Sequence, residues 1–206
     1  MNWEHLLTIS ARRKAHWVVP FGPNENFVGR EAELKEVIEK LAPDDFDKTC
    51  QRVAITGLGG VGKTQIALKA AFQIQENHTD CSVFWVSTVN SATFEAAFRA
   101  IGQELQVAGI DDDKVDVKSL VATHLGREST GRWLLIIDNA DDLELLYRKA
   151  NFDDEIVGSL ALAKYFPVSR HGSILLTTRN HIVAREAHHP CAMLYLKQQS
   201  CMQVLQ

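Results

Sequence analysis

Cysteine is sparse in this chain: four among 206 residues, at Cys50, Cys81, Cys191 and Cys201, with no C-x-x-C pair. That spacing excludes a disulfide framework, and reduced thiols in a cytoplasmic protein are expected. No apolar run approaches the roughly 20 residues that a helix needs to cross a bilayer, so no membrane partner is expected. Charge of one sign is lacking too. The 22 Lys and Arg against 26 Asp and Glu leave a net charge of -4, which gives no general pull toward nucleic acid or anionic lipid. Neither is expected as a partner. The basic cluster Arg12-Arg13-Lys14 has no apolar stretch beside it, so it reads as a solvated helix face rather than a secretory signal. Internal repeats and low-complexity tracts are absent.

What remains is an ordinary globular composition, 46% hydrophobic and 23% charged, in a chain long enough for one substantial core. Its most informative segment is GLGGVGKT, Gly57 to Thr64. It follows the apolar run Arg52 to Thr56 and precedes a helical stretch from Gln65 to Gln75. This is a phosphate-binding loop in the context its chemistry requires. Glycines let the backbone wrap so that successive N–H groups point at phosphate oxygens, and the helix aims its positive end at the same anion. Lys63 is placed to reach the β- and γ-phosphates, and the Thr64 hydroxyl to hold Mg²⁺.

Strands and helices alternate around this loop. An amphipathic helix is expected over Glu31 to Leu41, with Leu34, Val37, Ile38 and Leu41 on one face. Strands are expected at Val53 to Thr56, Ser82 to Thr88, Trp133 to Ile137, Ser173 to Thr178 and Ala192 to Leu196. A helix from Ser91 to Val107 with Ser91 as N-cap, and a shorter one from Val117 to Leu125, lie between them. Short apolar strands separated by helices mean a parallel sheet covered on both faces. The expected fold is a three-layer α/β phosphate-loop NTPase domain with a five-stranded parallel sheet. Residues 1–26 read as leader and linker, with a short helix as one option, and residues 27–206 as the nucleotide-binding core.

Two further segments carry chemistry. Asp138 ends the apolar run Leu134 to Ile137, at the mouth of an open α/β sheet where ligands bind. In phosphate-loop proteins such an aspartate holds Mg²⁺ together with the loop hydroxyl. Next comes Asn139, which can orient water but cannot take its proton. Asp141 or Asp142 could replace a missing base, or cap a helix at Leu143; the capping role is favoured for at least one. Arg179, after Thr177 and Thr178, can pair with a γ-phosphate through its guanidinium fork, or be a surface arginine. The acidic turn Asp111 to Asp113 reads as solvated loop. His181, His188, His189 and Cys191 match no zinc spacing and read as surface groups. Phe84, Trp85, Phe94, Phe98 and Trp133 read as core.

Phe27-Val28-Gly29-Arg30-Glu31, GLGGVGKT, LLIIDNADD and GSILLTTRN occur in the order seen in NB-ARC domains. These are the nucleotide switches of plant, animal and fungal NOD-like receptors within the STAND class of ATPases. The resemblance covers residues 27–206, and the DNADD wording is most similar to fungal members. It implies ADP or ATP with Mg²⁺ as cofactors, and homotypic contact with other NB-ARC domains. It implies that Val28 and Arg30 lie against the adenine. The phosphates would then be cradled by Gly57, Gly59, Gly60, Val61, Gly62, Lys63, Thr64 and Gln65. Asp138 would support Mg²⁺ with Thr64, and Arg179 would sense the γ-phosphate. Asn139 stands where the family has a second acid, so slow or no hydrolysis is expected. The family's helical and winged-helix subdomains, with their GLPL-like and MHD-like motifs, are not found in the sequence. An isolated core that binds nucleotide but switches poorly is therefore expected. Rival readings are an active phosphate-loop NTPase or small-molecule kinase, and a nucleotide-independent interaction module.

Overall fold

The structure is a computed structural model, and it describes residues 14–41, 50–147, 161–187 and 191–196. Five strands follow the apolar runs of the sequence: β2 (Gln51–Gly57), β3 (Ser82–Ser87), β4 (Trp133–Asp138), β5 (Gly172–Thr178) and β6 (Cys191–Leu196). A sixth, β1 (Trp17–Val18), joins at one edge. The order is β1-β3-β4-β5-β2-β6 and every pairing is parallel.

The count corrects the expected five. The added strand lies in the segment read as leader, where a helix was one option. Two residues carry no alternation for a pattern to detect, and their extended state is imposed by the neighbouring strand. Val83 N donates to His16 O at 2.8 Å, His16 N donates to Ser82 Oγ at 3.0 Å, and the Trp17 ring sits 4.9 Å from that of Phe72. Arg12 and Arg13 of the basic cluster lie outside the described residues.

Side-chain alternation divides the core into two layers. Val53, Ile55, Val83, Trp85, Leu134, Ile136 and Leu175 face α1 (Glu31–Leu41) and α2 (Lys63–Asn77). Ala54, Phe84, Val86, Leu135, Ile137, Ile174 and Leu176 face the opposite layer. That layer holds α3 (Ser91–Glu104), α4 (Val117–Leu125), α5 (Leu143–Tyr147) and α6 (His181–Glu186). Both faces are covered, which is why the strands read as unbroken apolar runs. The expected core aromatics Phe84, Trp85, Phe94, Phe98 and Trp133 are all buried. Among the described residues no helix is long and apolar enough to cross a membrane.

One local expectation shifts by a residue. The N-cap of α3 is Asn90, not Ser91. Asn90 Oδ1 accepts from Thr93 N at 2.8 Å while Thr93 Oγ1 accepts from Asn90 N at 3.2 Å. That reciprocal pair satisfies two donors at once, which a lone serine cap would not.

Trp133 stands directly across from Gly172 in the β4–β5 register and is 1% exposed, with Nε1 donating to Leu125 O at 2.9 Å. A Cβ on Gly172 would fall inside the van der Waals envelope of the indole ring. Gly172→Ala should therefore destabilise the fold by about 1–3 kcal/mol through overpacking. In thermal unfolding that is a loss of roughly 2–4 °C per kcal/mol for a domain of this size. An unchanged melting temperature would show that the indole has room to move.

Candidate functional site

The phosphate loop joins the carboxyl end of β2 to the first turn of α2. Gly60 and Gly62 adopt positive φ, 75° and 91°. That left-handed backbone is open to glycine at little cost and aligns the loop with the helix start. Gly62 is the N-cap of α2 and supplies no side-chain cap, so the first-turn N–H groups face outward without a side-chain acceptor from that position. Uncapped amides at the positive end of a 15-residue helix fit an anion.

Lys63 folds back over this loop. Its ammonium donates to Gly57 O at 2.9 Å and Leu58 O at 2.8 Å, and the side chain is 9% exposed. Burial pushes its pKa below the ordinary lysine value; Asp141 opposes that shift, Arg179 adds to it and Asp138 opposes it. Among the described residues the ammonium is held by two loop carbonyls, contacts that phosphate oxygens could replace.

The β4–β5–β2 order puts the other two signals beside the loop. Asp138 is 4% exposed, and its Oδ1 accepts from Thr64 Oγ1 at 3.0 Å and from Thr177 Oγ1 at 2.6 Å. A hydroxyl and a carboxyl oxygen in contact are the donor set that a hard divalent cation takes. Just past Asp138 the backbone turns left-handed at Asn139, φ 59°. Asn139 N donates to Thr177 Oγ1 at 3.1 Å and Ala140 N to Thr177 O at 2.9 Å.

The two acids that follow divide their work. Asp142 accepts from Leu145 N at 3.0 Å and caps α5. Asp141 instead reaches the end of β5: Oδ1 accepts from Arg179 N at 2.5 Å and Oδ2 from Arg179 Nε at 2.6 Å. A cavity of about 420 Å³ lies between these groups, lined by Gly59, Gly60, Gly62, Lys63, Thr64, Gln65, Asn139, Asp141, Thr177 and Arg179.

The segment Val28 to Glu31 approaches from the other side. Arg30 is 9% exposed with φ 66°, an uncommon conformation for a non-glycine residue. Its guanidinium donates to Glu33 Oε1 at 2.8 Å and to Val61 O, within the phosphate loop, at 3.4 Å. Val28 is 76% exposed, and neither residue lines the cavity.

Residues 30–206 match the NB-ARC domain family. The chain belongs to that family. It is 54% identical over 176 residues to a nucleotide-binding leucine-rich repeat (NLR)-like protein of Hyaloscypha variabilis, covering 85% of this chain and 18% of that protein. It is 27% identical over 181 residues to disease resistance protein RPP8 of Arabidopsis thaliana, again covering 18% of the relative. The chain thus spans about a fifth of the length of these relatives. Its fold is also that of the Aeropyrum pernix ORC2 protein, at TM-score 0.55 and 15% identity over 84% of this chain and 50% of that one. A Drosophila ORC structure bound to DNA gives TM-score 0.56 and 17% identity, covering 84% of this chain and 44% of that one.

In this NB-ARC domain the structure gathers most of the residues that the sequence nominated. Gly59, Gly60, Gly62, Lys63, Thr64, Gln65 and Arg179 line one cavity, with Asp138 directly behind Thr64. Gly57 and Val61 belong to the loop without lining the cavity. Of the histidine group, His181 is tied to Thr56 Oγ1 at 3.4 Å and stacks on Tyr195 at 5.3 Å; His188 and His189 lie outside the described residues. No metal-binding cluster occurs among the described residues. Two contributors were missed: Thr177 as the bridge between Asp138 and Asn139, and Asp141 as the partner of Arg179. Both arise across strands, and no local sequence signal announces either contact.

Asn139 suits the left-handed backbone it holds, as an aspartate there would also, so the turn constrains the position without choosing between them. Asn visits the left-handed region more readily than most residues, whereas a β-branched side chain there is strained. Asn139→Gly should hold stability within about 0.5 kcal/mol, whereas Asn139→Val should cost about 1–2 kcal/mol. Urea unfolding of the pair checks this, and equal midpoints would remove the left-handed turn as the constraint.

Proposed function

We propose that this chain is the adenine-nucleotide-binding switch module of an NLR-type signalling protein, taking ADP or ATP with Mg²⁺ and hydrolysing slowly or not at all. The observation that carries the reading is the convergence of four groups on one cavity of about 420 Å³. These are the uncapped start of α2, Lys63, the Thr64–Asp138 pair and Arg179.

The donor set fits a polyphosphate chemically. First-turn amides and Lys63 would hold the β-phosphate region, and Arg179 a terminal phosphate. Thr64 and Asp138 would hold Mg²⁺, which neutralises phosphate charge when bound. Arg30, through Val61, would keep the Val28 to Glu31 segment in register with the loop and bring it toward the base.

Slow hydrolysis is supported by where the acids go. The Asn139 amide cannot take a proton from water. Asp142 is spent on capping α5, and both oxygens of Asp141 face Arg179. Turnover on the order of 10⁻² s⁻¹ or less is expected, the range of phosphate-loop enzymes that carry an arginine in the same chain and receive no help from a partner. In a full-length receptor the module would sit in the cytoplasm and pair with other NB-ARC domains in its active form.

Thermal unfolding with ADP or ATP, wild type beside Lys63→Ala, tests the reading. At a hundred times its Kd a ligand stabilises the wild type by about 2.7 kcal/mol. Lys63→Ala should abolish most of that shift while remaining folded. A folded wild type with no nucleotide response would turn the reading over to an interaction module. Sustained rapid phosphate release would turn it over to an active NTPase.

A further inference from the structure

We propose that Asp141 is a positioning residue for the terminal phosphate: it aims the Arg179 guanidinium across the phosphate loop and so sets how far the site favours a nucleoside triphosphate over a diphosphate. The proposal rests on the nucleotide reading above and assigns a role to a residue that neither the phosphate loop nor the Mg²⁺ pair uses.

The contact is a closed ring. One carboxylate oxygen accepts the backbone N–H of Arg179 and the other its Nε, at 2.5 and 2.6 Å. Binding a residue through both its main chain and the root of its guanidinium fixes the intervening torsions, which an arginine otherwise samples at considerable entropic cost. Asp141 is itself fixed from three directions. Its N–H donates to Asn139 O at 2.8 Å, its carbonyl accepts from Asn180 Nδ2 at 3.3 Å, and Thr178 Oγ1 donates to Oδ1 at 3.4 Å.

The orientation that results is specific. Asp141 takes Nε with one oxygen and the Arg179 backbone N–H with the other, so the end-on fork between the two terminal amino groups stays outside that contact. A Cβ on Gly59 would lie 3.7 Å from Arg179 Cδ and 3.8 Å from Nη1. The guanidinium therefore lies along the phosphate loop. The Arg179 side chain is 64% exposed against 24% for Asp141, so the acid sits behind and the arginine tip stands in the open part of the cavity. Pairing through Nε leaves the terminal fork available to phosphate oxygens, which it can bind through two parallel N–H bonds.

The opposite effect, in which Asp141 repels a γ-phosphate and withholds Arg179, predicts a change of opposite sign, so one experiment decides. ADP and a non-hydrolysable ATP analogue are titrated with Mg²⁺ into wild type, Asp141→Asn, Arg179→Ala and the double variant. Asp141→Asn keeps the size of the side chain but sets an amide N–H against one of the arginine donors. The expected result is an affinity for the triphosphate lower by about tenfold, in the range of a partly screened charge-assisted contact. ADP affinity should stay within about twofold, since the diphosphate ends short of Arg179. Arg179→Ala should show the same split, and the double variant should add little to it, because two residues acting as one unit are not additive.

Tighter triphosphate binding by Asp141→Asn would overturn the proposal in favour of repulsion. A loss in Arg179→Ala with none in Asp141→Asn would also overturn it, leaving Arg179 as a sensor that needs no guide. Equal losses for both nucleotides in Asp141→Asn would assign Asp141 a structural role only. Absence of binding by the folded wild type would strike down the nucleotide reading itself, and this proposal with it.

Discussion

The site is organised around a single buried carboxyl group. Asp138 is 4% exposed, and its Oδ1 receives hydroxyls from two different elements, Thr64 at the start of α2 and Thr177 near the end of β5. A carboxyl removed from water must find donors, and each donor it finds is an element it fixes in place. Here that requirement ties β4, β5 and the phosphate loop at their carboxyl ends. Thr177 extends the tie by accepting from Asn139 N, which sets the turn that delivers Asp141 to Arg179. Removing any one hydroxyl would leave Asp138 under-satisfied and slacken three segments together.

The sheet itself was readable because its strands are buried on both faces. Five apolar runs bounded by polar turns give five strands without appeal to tertiary structure, and GLGGVGKT locates the ligand end of one of them. Trp17–Val18 was not readable, since two residues have no periodicity and are made a strand by the edge of β3. In the site, Lys63, Thr64 and Asp138 were legible because their spacing from a strand end is fixed by local geometry. Thr177 and Asp141 were not, because their partners lie 39 and 38 residues away in sequence. The capping role foreseen for one of the two acids falls to Asp142, and only the packing of β5 beside β4 could assign its neighbour elsewhere.

Of the three non-glycine residues with positive φ among the described residues, two flank the phosphate loop and the third, Gln106, follows α3. Arg30 and Asn139 both hold positive φ, and each sits where a segment must turn sharply toward the phosphate loop. Non-glycine residues persist in that region when their surroundings over-determine them. Arg30 is held by Glu33 and the Val61 carbonyl, and Asn139 by Thr177. A ligand that settles into the loop would therefore find its flanking segments already placed, which lowers the ordering cost of binding.

The same geometry limits what the domain can accomplish as a switch. Only contacts that differ between two bound states can shift an equilibrium, and on the proposed reading the contact that would tell a third phosphate from a second is the exposed tip of Arg179. A tenfold discrimination there corresponds to about 1.4 kcal/mol. Driving a two-state arrangement from one extreme to the other takes about 5.5 kcal/mol. The shortfall is several-fold, so a large conformational response needs further surfaces that read the nucleotide through additional contacts. The NLR-like relative, of which this chain matches 18%, has the length to carry such surfaces. On the proposed reading this domain would supply the binding energy and a modest bias toward one nucleotide, and the amplification would fall to surfaces beyond it.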